Sequence, residues 1–189
     1  LGIIEGITEF LPISSTGHLL IAERWLGARS DLFNIAIQAG AILAVVVIYR
    51  DRLRQLLTGF RAAENRDYLF KLAASFGVTA VLGLVVKALG VELPETLEPV
   101  AWAMIAGGFV MLAAEQIAAR RDAHHAARTK ITWTVAILVG VAQVVAGVFP
   151  GTSRSAAAIF AALLFGTGNR AAATEFAFLV GIPTMFAAT

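Results

Sequence analysis

The sequence predicts an all-α protein, a polytopic transmembrane helical bundle with inverted-topology repeats and two re-entrant helix hairpins. Three observations point there. The 189 residues are 58% hydrophobic and only 15% charged, with a mean hydropathy of +0.78, whereas soluble domains are about 45–50% apolar and about 25% charged. Several apolar runs approach the roughly 20 residues needed to cross about 30 Å of hydrocarbon. Two polar interruptions, Pro12 to His18 and Pro150 to Ser155, break the apolar pattern and are flanked by segments too short to span. The chain carries no cysteine, which excludes disulfides and thiolate metal sites. Its pI of 9.4 reflects a net charge of only +2, so nucleic acid is not an expected partner.

Taken in order, residues 1–11 are apolar apart from Glu5, Thr8 and Glu9. Pro12 and the run Ser14-Ser15-Thr16-Gly17 end that segment, and a second short apolar stretch runs from Leu19 to Leu26. Two half-length helices around a polar turn predict a re-entrant hairpin, which survives at membrane depth only inside protein or a watery cavity. Residues 32–49 form the first span, with Asn34 and Gln38 inside it; 69–89 form the second and 100–118 the third. Between them lie a basic loop over 50–68, an acidic one over 90–99 with Glu92, Pro94, Glu95 and Pro99, and a basic one over 119–130. His124 and His125 in the last of these read as solvated loop residues. Residues 131–169, interrupted at Pro150, predict the second hairpin, and 171–189 begin a further span. The chain starts and stops within helix-like patterns, so it is read as part of a longer protein without a visible signal peptide.

The basic loops belong in the cytoplasm by the positive-inside rule, with the acidic loop outside. The two hairpins then enter from opposite faces, as an inverted repeat requires. Glu5 to Gly17 aligns without gaps on Gln143 to Ser155, pairing Glu5 with Gln143, Pro12 with Pro150 and Ser15 with Ser153. The expected organisation is one membrane domain over 1–189, with repeats over 1–90 and, incomplete, 98–189.

The chemistry concentrates at the two breaks. Glu5 and Glu9 share a helical face at a Cβ separation of about 5–6 Å. Placed so close in an apolar segment, they are read either as binding a hard cation, Mg²⁺ or Ca²⁺, or as a helix end exposed to water. Ser14, Ser15 and Thr16 are either helix-capping hydroxyls or a nucleophile beside its base, with His18 returning to the same face. Gly151, Thr152, Ser153, Arg154 and Ser155 precede an apolar helix over 156–166. Backbone N–H groups at a helix start and a planar guanidinium both suit phosphate; the plainer reading makes Arg154 a structural partner of a carboxylate. Glu175 is read as pairing with Arg170 or reaching the site. Acids, hydroxyls, an imidazole and an arginine between two broken helices amount to the inventory for phosphoryl transfer or hydrolysis at a membrane.

The strings EGITEFLPISSTGH (Glu5 to His18), PGTSRS (Pro150 to Ser155) and TEFAFLVGIP (Thr174 to Pro183) resemble the undecaprenyl-diphosphate phosphatase family, also called the bacitracin-resistance family. The resemblance implies a bacterial inner-membrane phosphatase that removes the terminal phosphate of undecaprenyl diphosphate and recycles the lipid carrier for cell-wall synthesis. It implies catalytic roles for Glu9, Ser15, His18 and Arg154. Substrate contacts would come from Ser14, Thr16, Gly151, Thr152, Ser153, Arg154 and Ser155, and metal binding from Glu5 and Glu9. The attacking group is a serine or an activated water. The site would open toward the periplasm, with the polyprenyl diphosphate and the bilayer as partners and a homodimer as the assembly. The competing class is an inverted-repeat transporter or flippase of a phosphorylated lipid, which uses the same broken helices.

Overall fold

The computed structural model describes residues 1–91, 96–125, 130–166 and 168–188, and the side chains of 121–125 and 188 lie outside that description. Among the described residues every regular element is helical. The order is α1 (Gly2–Thr8), α2 (Ser15–Leu26), α3 (Asp31–Ile48), α4 (Arg50–Thr58), α5 (Ala63–Ala88), α6 (Leu97–His125), α7 (Trp133–Val148), α8 (Arg154–Phe165) and α9 (Arg170–Ala188).

Three described helices are long and apolar enough to cross a membrane: α3, α5 and the Leu97–Arg120 part of α6. Their surfaces carry large apolar side chains such as Val81 and Leu84 on α5 and Trp102 and Phe109 on α6, all exposed in the isolated chain. Such faces suit hydrocarbon and not water. The expected basic loop at 50–68 is instead mostly helical: α4, a turn over 59–62 and the start of α5. Likewise, α6 continues to His125, so the expected loop at 119–130 begins as helix. Charged residues at these positions do not stop a helix, because Arg, Lys, Glu and Gln are good helix formers. Pro94 and its neighbours at 92–95, and residues 126–129, fall outside the described residues.

The core lies where α7, α8 and α9 pack together with α5. Val135, Val139, Ala162, Ala173, Phe176 and Val180 are fully buried there. Helix α9 belongs to this core: its buried residues include Phe176, Ala177, Leu179, Val180 and Met185, and it packs on α3, α5 and α8. On the other side of the bundle, α1 packs on α2 and α3, and α2 on α6. Close approach of α5 and α7 depends on Gly140, where an added Cβ would stand 2.6 Å from the Ser75 carbonyl oxygen and 2.9 Å from the Val78 Cβ. The seam is fastened by Thr79 Oγ1, which donates to the Gly140 carbonyl at 3.1 Å. Gly140→Ala is expected to lower stability by about 1–3 kcal/mol through overpacking against backbone that cannot yield; thermal unfolding in detergent measures it.

Ion pairs satisfy several of the charges within these helices. Buried Lys71 on α5 pairs with Asp67 one turn earlier and stands 5.8 Å from the Trp133 ring centroid. Glu175 pairs neither with Arg170 nor with the two breaks. Its Oε1 accepts from Arg52 Nε at 2.8 Å and from the Tyr68 hydroxyl at 3.0 Å. Arg170 instead pairs with Glu115 at 2.8 Å.

Candidate active site between two broken helices

Each break ends in a serine-capped helix. At the first, Pro12 cannot supply a backbone donor, the chain turns, and α2 starts behind Ser14, whose Oγ accepts from Gly17 N at 3.3 Å. Ser14 is the only non-glycine residue with a positive φ among the described residues, at +67°. A side chain in that region costs about 1–3 kcal/mol and persists only when its surroundings over-determine it. Here they do. The Ser14 carbonyl accepts from His18 N at 3.2 Å and from His18 Nδ1 at 2.8 Å, which assigns the proton to Nδ1 because a carbonyl only accepts.

At the second break, α8 starts at Arg154 itself, two residues earlier than the apolar pattern indicates. Ser153 Oγ caps it by accepting from Ala156 N at 3.2 Å. The caps Ser14 and Ser153 are one residue out of step in the ungapped alignment, which pairs Ser15 with Ser153. Gly151 makes the turn at φ +99°, and an added Cβ would stand 2.4 Å from the Val100 carbonyl oxygen on α6. Only glycine fits that conformation and that approach.

The two breaks meet. Ser15 Oγ donates to Glu9 Oε2 at 2.6 Å, a short charge-assisted bond. Arg154 Nη2 reaches Glu9 Oε1 at 3.4 Å across 145 residues of chain. Ser155 Oγ donates to the Leu11 carbonyl at 3.5 Å. These groups border a cavity of about 450 Å³ whose wall also holds Ser14, Thr16, Gly151, Thr152 and Ser153, within the size range of small-ligand sites. Glu9 is 9% exposed, while the Arg154 side chain is 34% exposed and reaches into the cavity.

Two anticipated residues stand back from this wall. Ser15 is paired with Glu9 and not with His18, so the expected hydroxyl–imidazole pair is absent; His18 braces the strained Ser14 instead. Glu5 is 1% exposed with neither carboxylate oxygen hydrogen-bonded, which rules out a water-exposed helix end. Conversely, Gln38 of α3 lines the cavity. A glutamine in the middle of a membrane span was its only signal in the sequence.

Among the described residues no cluster of three or more His, Cys, Asp or Glu forms a metal cage. Mg²⁺ keeps several waters and uses one or two carboxylates plus substrate phosphate oxygens; Glu5 has both oxygens unpaired and is a carboxylate of that kind, while the two Glu9 oxygens are engaged by Ser15 and Arg154.

The sequence profile of the family described as Bacitracin resistance protein BacA matches residues 1–189. The chain belongs to the BacA family. It is 71% identical over 189 residues to a protein of Rhizobium etli named undecaprenyl-diphosphatase, covering 100% of this chain and 70% of that one. A Xylella fastidiosa protein of the same name is 61% identical, covering 100% of this chain and 71% of its own length. A further protein of that name, from Xanthomonas oryzae pv. oryzae, is 62% identical, with coverage of 100% and 70%. This BacA-family chain therefore places the Glu9, Ser15 and Arg154 cluster inside a membrane helical bundle.

Proposed function

We propose that this BacA-family protein is an integral membrane phosphatase that hydrolyses undecaprenyl diphosphate to undecaprenyl phosphate and inorganic phosphate. The relatives that carry this activity in their name match the chain throughout. The observation that carries the reading is the meeting of a carboxylate, a hydroxyl and a guanidinium in one cavity. In this reading Arg154, with the amides at the head of α8, grips the diphosphate as a planar donor and a helix N-terminus together. Glu9 accepts the proton of the attacking oxygen, that of Ser15 or of a water that Ser15 helps to place, as general base. The P–O bond to the attacking oxygen forms as the bond to the bridging oxygen breaks, and the lipid monophosphate leaves; where Ser15 attacks, a water deprotonated by Glu9, which has passed its first proton on, then cleaves the phosphoserine bond and releases inorganic phosphate. Glu5 and Glu9 would hold Mg²⁺ or Ca²⁺, which supplies neutralising charge to the phosphates. His18 acts by holding Ser14, and through it the start of α2, in place.

The finer architecture follows the same reading. Helix α1 is about 10 Å long, α2 and α8 about 18 Å and α7 about 24 Å, so α1–α2 and α7–α8 are taken as re-entrant hairpins of repeats 1–90 and 98–189. Support comes from the two serine caps and from burial of both members of the aligned pair Glu5 and Gln143, at 1% and 3% exposure. With the basic residues of α4 and the end of α6 toward the cytoplasm, the site opens to the periplasm.

The test is phosphate release from undecaprenyl diphosphate by the purified protein in detergent or proteoliposomes. Release is expected with Mg²⁺ or Ca²⁺ present, to fall at least about tenfold on chelation, and to return on re-addition. No release with cation present, together with movement of lipid phosphate between leaflets, would replace the phosphatase by a transporter.

A further inference from the structure

One buried polar group takes no part in the chemistry above. Gln143 lies within α7 and is 3% exposed. Its Oε1 lies 3.0 Å from Thr184 Oγ1 on α9 and shares that hydroxyl's single proton with the Val180 carbonyl. Its Nε2 has no hydrogen-bond partner among the described residues. A buried donor without a partner is costly, so each such group in a native fold calls for an explanation.

The surroundings supply one. Gln143 borders a second cavity, of about 20 Å³, together with Glu9, Arg154 and Ser155; most of the remaining wall is apolar, including Ile42, Val45 and Phe178. Glu9, Arg154 and Ser155 also border the large polar cavity, so the Glu9–Arg154 pair stands between the two. A cavity of this size admits about one water, provided that two to four polar partners surround it. Those partners are present with the right sense. Gln143 Nε2 and Arg154 only donate, and Glu9 only accepts.

We propose that Gln143 is a positioning residue, which donates from Nε2 to a single bound water that in turn donates to Glu9. The water fixes the rear of the carboxylate whose front accepts from Ser15 Oγ. It also completes the shell of Arg154 on the side away from substrate. The position explains its own chemistry. The aligned residue in the first repeat is the acid Glu5, but an acid at 143 would face Glu9 with acceptors only and repel it. An amide keeps the acceptor for Thr184 and turns a donor toward the carboxylate. The inference rests on Glu9 being the base in the proposed phosphatase reaction.

Gln143→Glu keeps the side-chain volume and the acceptor for Thr184 while it removes the donor and adds the repulsion toward Glu9; Gln143→Met removes the donor without adding charge. In the purified enzyme kcat is expected to fall about 10–100-fold, the range seen when an outer partner of an active-site group is lost, with KM changed less than about twofold. Gln143→Met, which removes donor and acceptor, should show the same split if the glutamate variant does not fold. Thr184→Val removes only the link to α9 and should leave kcat within about twofold. An unchanged kcat in Gln143→Glu, or an equal fall in Thr184→Val, overturns the role. A crystal structure of the wild-type protein gives a readout independent of activity. A water within hydrogen-bond distance of both Gln143 Nε2 and Glu9 supports the role; a dry cavity, or Nε2 bonded to a protein acceptor, overturns it. Wild-type protein that releases no phosphate, yet holds that water, removes the phosphatase reading while leaving the positioning of Glu9 intact.

Discussion

Arg154→Lys is expected to lower kcat/KM for phosphate release by about 10²–10³-fold, the loss that follows removal of one preorganised donor to a developing oxyanion. The charge is kept, so the loss isolates geometry. Arg154 is the first residue of α8 and is held there by the Ser153 cap. Its guanidinium reaches Glu9 Oε1 with Nη2, which leaves other N–H groups of the same fork for a phosphate. A lysine ammonium is a single compact charge on a flexible stem and does not present two parallel donors to phosphate while keeping Glu9. Steady-state kinetics with undecaprenyl diphosphate measures the effect. Activity near wild type would remove Arg154 from substrate binding and leave it as a structural partner of Glu9.

Glu9→Gln is the second large effect, an expected fall in kcat of about 10²–10⁴-fold, the range assigned to a positioned general base. The amide has nearly the shape of the carboxylate and still offers one oxygen to Ser15 Oγ. It lacks the basicity to take a proton and lacks the charge that holds Arg154. Loss of kcat with intact thermal stability assigns the fall to chemistry; a fall that tracks loss of folded protein assigns Glu9 to structure. The 2.6 Å bond from Ser15 argues for chemistry, because it places a proton donor directly on the carboxylate in the wall of the cavity.

Much of the site was legible because its signals are local. A proline followed by small hydroxyl residues ends one apolar segment and caps the next helix, whatever the rest of the chain does. Glu5 and Glu9 are one turn apart, and their cost in an apolar run already marks them. Several choices of partner escaped, although an Arg154–carboxylate pair was among the sequence readings. Ser15 is three residues from His18 and six from Glu9. Its bond goes to Glu9, while the His18 ring goes to the carbonyl of Ser14, whose positive φ is held by hydrogen bonds with Gly17 and His18. Glu175 had Arg170 five residues away, yet pairs with Arg52 at a separation of 123 residues. Gln38 was marked only as a polar residue within a span and Gln143 only as the counterpart of Glu5; the cavities they border show what each faces.

By itself the sequence determined the helical membrane class, the two breaks, and the types of group gathered at them. Composition and periodicity decide where a chain finds it cheaper to lie in lipid as a helix, and proline and glycine decide where that helix must stop. The sequence already pointed to the two breaks as facing loops of one site; the tertiary structure decided which groups touch there, Arg154 and Glu9 across 145 residues. It also decided that α9 is a core element, and that Glu5 and the Gln143 amide are sealed in with unpaired polar atoms. The physical reason is that pairing and burial are properties of which helix faces pack together. That packing is set by small-residue seams such as Gly140 against Ser75 and Gly151 against Val100, and no local pattern in the chain encodes it.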